Sequence, residues 1–286
     1  MKEFEIVDKV LVAYKGKGGD IAIPDGVEMI GGAAFYDCKK LTTVIIPDGV
    51  TGIGSYAFAH CTGITSVIIP GSVKRIGCGA FTHCSGLTTV TIPDSVASIG
   101  DNAFYDCSKL NSLTIGSGVT YIGGSAFCDC SALGSITIPS GVTYIGSSAF
   151  YCFKKLTSIA IPDSVTYIGS SAFGCTALTS ERANYKAFHL TRKGELMCRD
   201  KIYTTGKESM VRGELKLCEK GIHYCTNLFD IFKYYCGEYD RMFVIGICEV
   251  SNENIGGRGD SKRCARWVKP TKILTREEII KLLNNN

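Results

Sequence analysis

Three groups of residues in this chain have the types and spacing that chemistry requires. His60 precedes Cys61 and His83 precedes Cys84, one pair 23 residues after the other. Two imidazoles and two thiols converging on one edge would suit zinc, which takes nitrogen and sulfur ligands in a tetrahedron. The slot of the two histidines holds Asp37, Asp106 and Asp129 elsewhere in the chain, which describes an exposed polar position that accepts any hydrophilic residue, so no metal site is assigned. His223 lies two residues before Cys225. A thiolate nucleophile also needs a pKa-lowering environment and a third group to orient the base, and no such third residue is identifiable, so a packed or hydrogen-bonded histidine is the better account. Arg258-Gly259-Asp260, inside a glycine-rich stretch, is the tripeptide read by integrins, but motifs this short arise readily by chance.

The elements that must position these groups are set by a repeat. Ala-Phe pairs recur every 23 residues, with Phe35, Phe58, Phe81, Phe104, Phe127, Phe150 and Phe173 in register. Pro24, Pro47, Pro70, Pro93, Pro139 and Pro162 keep the same step, with Gly116 in the remaining slot, and so do Gly31, Gly54, Gly77, Gly100, Gly123, Gly146 and Gly169. A fixed period of this size marks a solenoid. Within Leu41-Thr42-Thr43-Val44-Ile45-Ile46-Pro47 the first, fourth and sixth positions are apolar and predict a short core-facing strand, stopped by a proline that cannot donate to a ladder. Val50, Ile53, Gly54, Ala57 and Phe58 then bring apolar groups inward every three or four residues, through a turn expected to need its glycine. One unit cannot bury this face alone. Stacking puts each phenylalanine on the next at about the 4.7–4.9 Å spacing of neighbouring strands.

These residues carry a resemblance. The Leu-x-x-Val-x-Ile-Pro strand, the Val-x-x-Ile-Gly turn, the Ala-Phe pair and the Cys-x-x-Leu closure resemble the leucine-rich repeats of the BspA-like bacterial surface proteins, over residues 21–180. The resemblance implies a curved solenoid used for adhesion or protein binding, placed at the cell surface or secreted. The partner is then an unknown protein or glycan met by the concave face.

The candidate binding surface consists of the outward strand positions: Thr42, Thr43, Thr65, Ser66, Thr88, Thr89, Thr91, Asn111, Ser112, Thr114, Ser135, Thr137, Thr157 and Ser158. They form an almost uncharged, hydroxyl-covered face with no catalyst on it. Threonine is also a good strand former on a solvated face, which accounts for the composition without any ligand.

The ends of the array differ from its middle. Phe4-Glu5-Ile6-Val7 and Val10-Leu11-Val12-Ala13-Tyr14 flank Asp8-Lys9 and predict a hairpin over residues 1–20 that caps the first turn, as terminal repeats require. Residues 21–180 then form about seven 23-residue units. Between Phe173 and Leu178 one residue is missing relative to Phe35 and Leu41, and the array ends there. Residues 181–286 predict a separate α+β domain. Its strands are expected at residues 185–190, 214–218 and 242–250, with a helix at 227–236 and another over about 276–283, opened by a Thr275/Glu278 capping box.

Charge and cysteines narrow the class. The formal net charge is +4, and 20 of the 31 Lys and Arg but only 14 of the 27 Asp and Glu lie from Glu181 onward. Acidic residues are interspersed with the basic ones, which argues against a nucleic-acid surface. Lys2, Glu3, Glu5, Asp8 and Lys9 interrupt any apolar leader, giving a cytoplasmic expectation against the surface setting the resemblance implies. No stretch has the length of a membrane span. Of the 15 cysteines, Cys38, Cys61, Cys84, Cys107 and Cys130 each follow a repeat phenylalanine by three residues, where a small buried thiol closes the turn. Oligomeric state cannot be read from the residues.

The segment Leu217 to Cys225, with Asn227 to Tyr235 after it, resembles an uncharacterised domain of bacterial and phage proteins, over about residues 185–274. In element order it is also similar to the nicotinamide-binding half of ADP-ribosyltransferases. That likeness implies Tyr224 or Tyr235 stacking nicotinamide, Glu249 or Glu253 near the reacting ribose, and His189 contacting a ribose. NAD enters only under this alternative; otherwise no cofactor is expected, and the leading reading is a non-enzymatic recognition protein.

Overall fold

The computed structural model describes residues 3–157, 159–169 and 171–174 continuously, and beyond them residues 185–190, 196–198, 201–203, 209–210, 222–225, 243–250, 254–256, 262–265, 267–275, 278–279 and 281–282. The chain divides into two compact units, Met1–Ala177 and Leu178–Asn286.

The first unit opens with β1 (Phe4–Val7) and β2 (Val10–Tyr14), an antiparallel pair in which Val7 faces Val10. The two residues between them, Asp8 and Lys9, have φ of 48° and 65°, as a two-residue hairpin turn matched to strand twist requires. Two kinds of strand then alternate. The longer ones are β3 (Gly19–Ala22), β5 (Leu41–Ile45), β7 (Ser66–Ile68), β9 (Thr89–Ile92) and β11 (Ser112–Ile115). The two-residue ones are β4 (Met29–Ile30), β6 (Gly52–Ile53), β8 (Arg75–Ile76), β10 (Ser98–Ile99), β12 (Tyr121–Ile122), β13 (Tyr144–Ile145) and β14 (Tyr167–Ile168). The longer strands make a five-stranded parallel sheet in the order β11-β9-β7-β5-β3, and the short ones continue from the hairpin as a nine-stranded sheet, β1-β2-β4-β6-β8-β10-β12-β13-β14. Pairing follows the repeat: Thr89 lies against Ser112, Val90 against Leu113 and Thr91 against Thr114.

The core between the sheets is a set of columns. Phe35, Phe58, Phe81, Phe104, Phe127, Phe150 and Phe173 are all buried, and their rings stack with centroids 4.7 to 5.8 Å apart and planes within 10° of parallel. The alanine beside each ring fixes the step, since the N–H of Phe58 donates to the carbonyl of Ala80 at 2.7 Å and that of Phe104 to Ala126 at 2.7 Å. Tyr14 closes the column at the hairpin end, 5.2 Å from Phe35 and itself met by Phe4 at 5.3 Å. The expected cap is therefore an aromatic plate as well as a hairpin. In the sixth rung Phe153 fills the cysteine slot, fully buried and edge-on to Phe150.

The Ile-Gly column needs its glycines for a different reason from the turn expected. None of these glycines has positive φ. A Cβ on Gly54 would lie 2.7 Å from the backbone of Gly31 and Gly32, and one on Gly77 2.7 Å from Gly54 and Ser55. The rungs touch there, and only hydrogen fits. The left-handed turns sit two residues before each phenylalanine and two residues after each from Phe35 to Phe150. Ala33, Tyr56, Asn102, Ser125, Ser148 and Ser171 occupy the first slot and Asp37, His60, His83, Asp106, Asp129 and Cys152 the second, all with φ between 52° and 62°.

The second unit contains β15 (Tyr185–Leu190), β16 (Leu196–Cys198), β17 (Lys201–Tyr203), β18 (Ser209–Met210), β19 (Ile222–Cys225), β20 (Phe243–Val250), β21 (Asn254–Gly256), β22 (Lys262–Ala265) and β23 (Trp267–Ile273). Its main sheet runs β18-β23-β20-β15-β19-β22-β21. Helix among the described residues of this unit is confined to 278–279 and 281–282, so strand dominates where a mixed α+β domain was expected. The expected capping box is formed: the N–H of Glu278 donates to Thr275 Oγ1 at 3.2 Å, and the N–H of Thr275 donates to Glu278 Oε2 at 2.8 Å. The expected strand at 214–218 and helix at 227–236 lie outside the described residues.

Candidate interaction surface

In each rung the first, fourth and sixth strand positions point inward, and the second, third and fifth remain for the outer face. Leu41, Val44 and Ile46 are buried while Thr42 is exposed and Thr43 half-buried. Thr65, Thr89, Thr91, Asn111, Ser112, Thr114, Ser135, Thr137 and Thr157 are exposed, and Ser66 and Thr88 are half-buried. Ser158 lies outside the described residues. From Thr42 to Ala160 every described residue in these three columns is uncharged.

The columns differ in what their hydroxyls do. At the second position they turn inward to the chain: Thr88 Oγ1 donates to the carbonyl of Thr65 at 3.0 Å, and Thr42 Oγ1 donates to Asp20 at 2.7 Å. The Thr42 and Thr43 hydroxyls hold the Asp20 carboxyl below its ordinary pKa. At the third and fifth positions Ser66, Thr89, Thr91, Ser112, Thr114, Ser135 and Thr137 donate to no described residue. Each is a free donor and acceptor on a rigid lattice, with rungs about 4.8 Å apart and alternate residues about 6.7 Å apart. Apart from the Asp20 carboxylate on its first strand, the outward positions of this face carry only hydroxyls, the Asn111 amide, aliphatic side chains and glycine.

The fifth column also holds two residues that pattern reading passed over. Ile45 and Ile68 lie directly against each other in the sheet and are 54% and 67% exposed. Thr91, Thr114 and Thr137 occupy the same column in later rungs, so isoleucine is not needed there for the strand. Its position in the repeat was the available signal.

The histidine edge is ordered but offers no convergence of ligands. His60 and His83 stack with centroids 4.6 Å apart and planes 19° from parallel, bracketed edge-on by Tyr36 and Tyr105. His83 Nδ1 lies 3.1 Å from Asp106 Oδ2. Parallel rings aim their lone pairs side by side rather than at one point, and among the described residues no three His, Cys, Asp or Glu side chains come together as a metal site would need. The neighbouring thiols are buried: Cys61, Cys84, Cys107 and Cys130 donate to the carbonyls of Phe35, Phe58, Phe81 and Phe104 at 3.0 to 3.3 Å. Burial pushes the thiols of Cys61, Cys84 and Cys107 well above their ordinary pKa, and that of Cys128 up to about 12. A second aromatic ladder, Tyr121, Tyr144 and Tyr167, stacks at 4.6 to 4.7 Å on the short-strand sheet. Its 23-residue spacing was visible in the chain, and its role as a ladder was not drawn from it.

In the second unit, His189, Tyr224 and Glu249 fall on adjacent strands β15, β19 and β20. His189 pairs with Phe243, whereas Glu249 lies six residues further along β20, opposite Lys269. Six strand steps are about 20 Å, so the backbone does not bring these two to one level. Tyr235 and Glu253 lie outside the described residues, as do the tripeptide 258–260 and its loop; His223 is placed on β19 against Cys264.

A parallel two-sheet stack with a buried phenylalanine column and an outer hydroxyl face defines a leucine-rich repeat solenoid. The BspA type leucine rich repeat region matches residues 13–133 and 97–188 in six copies, and the chain belongs to that family. Residues 184–282 match a domain of unknown function, DUF7666, as the resemblance to an uncharacterised domain implied. Among solved structures the chain is similar to the leucine rich repeat protein of T. pallidum, with 30% identity and a TM-score of 0.58 over 62% of this chain and 88% of that one. It is similar to a leucine-rich repeat protein from Bacteroides ovatus (31%, TM-score 0.53, covering 56% of this chain and 42% of that one). It is also similar to one from Eubacterium ventriosum (29%, TM-score 0.55, 60% and 47%). The chain thus spans less than half the length of the latter two. No curated protein matches it. No helix among the described residues is long and apolar enough to cross a membrane.

Proposed function

We propose that the protein is a non-enzymatic recognition module that docks a protein partner on the hydroxyl-bearing face of its five-stranded sheet, with the second unit, read as a small α+β domain, appended to that task. The observation that supports this most is the set of unpartnered hydroxyls around the exposed Ile45 and Ile68. Rigid, neutral hydrogen-bonding groups around an aliphatic pair suit a protein surface, where fully desolvated apolar anchors supply most of the binding energy. A glycan partner would ask for aromatic rings to stack on, and this face has none. A surface or secreted setting, which the family implies, suits such a role.

The test is capture by the immobilised chain. Arginine at Thr89, Ser112 and Ser135 together should abolish capture with the circular dichroism spectrum unchanged, while a chain lacking residues 185–286 should capture as well as the whole. Capture untouched by the three arginines would end this reading.

A further inference from the structure

The face that carries the hydroxyls is bordered by charge of opposite sign on its two sides. Immediately before the strands stand Lys40, Lys109 and Lys155, all exposed. Immediately after the strand-ending prolines stand Asp25, Asp48, Asp94 and Asp163, also exposed. Lys40, Lys109, Lys155, Asp25 and Asp48 make no ion pair with a described residue, the nearby Lys39 being the one engaged, with Asp37 at 3.0 Å.

We propose, building on the recognition reading above, that the partner of this face is a second copy of the same chain, bound face to face about a two-fold axis parallel to the stack of rungs. A closed two-fold interface sets one surface against itself, so that surface must be its own complement. Most surfaces of a charged protein fail this condition, because lysine meets lysine and carboxylate meets carboxylate. Hydroxyls and aliphatic side chains meet it, since a hydroxyl both donates and accepts and the exposed Ile45 and Ile68 fall on the second copy's Thr43 and Ser66, whose methyl and methylene groups accept them without a charge to bury. The chosen axis reverses strand direction while keeping rungs level. It therefore carries the lysine border of one copy onto the aspartate border of the other, with Lys40 facing the second copy's equivalent of Asp48 and Lys155 that of Asp163. The alternative axis, along the strands, would set lysines on lysines. The short-strand sheet carries Glu28, Lys74 and Arg75 among its outward residues and has no such symmetry.

Area sets the strength. Six rungs at about 4.8 Å by five residues at about 3.3 Å give a face of roughly 480 Å², about three-fifths of what each partner contributes to a standard interface. The borders are needed to complete it, and the dimer is concentration- and salt-dependent.

The experiment is light scattering of the full chain over a concentration series at low salt. The wild type should pass from the mass of one chain to that of two. Lys40→Glu with Lys155→Glu places acid on both borders, and Asp48→Lys with Asp163→Lys places base on both, so each variant alone should stay at one chain. An equimolar mixture of the two should return to two chains, because every border then meets its opposite. Ile45→Thr with Ile68→Thr, which installs the residue that Thr91, Thr114 and Thr137 already supply in that column, should weaken the dimer at least tenfold with the fold intact. A wild type that stays at one chain throughout, charge variants that remain dimeric, or a mixture that stays at one chain would each overturn the proposal. Loss of dimerisation in all chains alongside arginine-sensitive capture of another protein would remove the second copy as partner and leave the recognition reading standing.

Discussion

Phe104 and Phe127 stack with ring centroids 5.3 Å apart and planes 3° from parallel, each fully buried between its neighbours in the column. Because the ring of Phe104 touches Phe81 on its other side at 5.1 Å, a void at Phe104 opens onto two rungs at once.

Phe104→Ala should therefore cost about 3–5 kcal/mol, measured by denaturant unfolding of the first unit, and hydrogen exchange should rise first in the rungs containing Phe81 and Phe127. A loss below about 1 kcal/mol would contradict the burial of this ring.

Gly100→Ala tests the close contact between rungs. Its Cβ would stand 2.6 Å from the backbone nitrogen of Cys78 and 2.7 Å from Gly77, and backbone cannot swing aside as a flexible side chain can. We expect a loss of roughly 1–3 kcal/mol. Gly71→Ala, whose Cβ would meet nothing within 4 Å, should stay within about 0.5 kcal/mol of wild type.

The thiol ladder gives the stability a pH dependence. Burial raises the pKa of Cys84 and Cys107 in the folded state, whereas the unfolded thiols titrate near 8.5. Below that pH both states hold the proton and the contribution is complete. Above it the unfolded chain ionises while the native chain does not, so each thiol removes up to about 1.4 kcal/mol of stability per pH unit. Urea midpoints should fall between pH 8 and 10, and replacing Cys84 and Cys107 by alanine should flatten that slope. In the native state exposed Cys78 should alkylate well before Cys61, Cys84, Cys107 or Cys130.

For the second unit, NAD incubated with the full chain should remain intact, and Glu249→Gln should leave that result unchanged. Mass spectrometry of the nicotinamide product decides it. Turnover that disappears in Glu249→Gln would establish the transferase chemistry despite the spacing of His189 and Glu249 along their strands.

The solenoid was legible because its period places the same residue types in the same environment many times, so Phe35 to Phe173, the inward strand positions and the Asp8-Lys9 hairpin could all be read directly. What escaped was any feature in which one rung departs quietly from the others. Ile45 and Ile68 look like core residues until their fifth-position parity is followed outward. The slot of His60 and His83 reads as a tolerant polar site, yet its shared property is a left-handed backbone, which Asp and Asn adopt more readily than most residues. Tyr14 joins the aromatic column from 21 residues before Phe35, off the 23-residue step, so periodicity could not place it. In the second unit no repeat averages out local ambiguity; the strand at Tyr185–Leu190 and the Thr275/Glu278 capping box, both local signals, were readable to the residue, and the strand expected at 242–250 to within one.

The contact that joins one rung to the next is the same bond each time, with Cys61 donating to Phe35, Cys84 to Phe58, Cys107 to Phe81 and Cys130 to Phe104. The four seams closed by Cys61, Cys84, Cys107 and Cys130 thus share one bond, whereas in the sixth rung Phe153 takes the cysteine's place. Excising residues 62–84 would bring Cys61 and Ser85 together in phase, with Cys107 in place to donate to Phe58 as Cys84 does now, and duplicating them would add one plate closed by the same bond. A gene encoding such a wall can gain or lose 69 base pairs by slipped replication and still specify a folded product, so its length is free to drift, or to be selected, independently of its core.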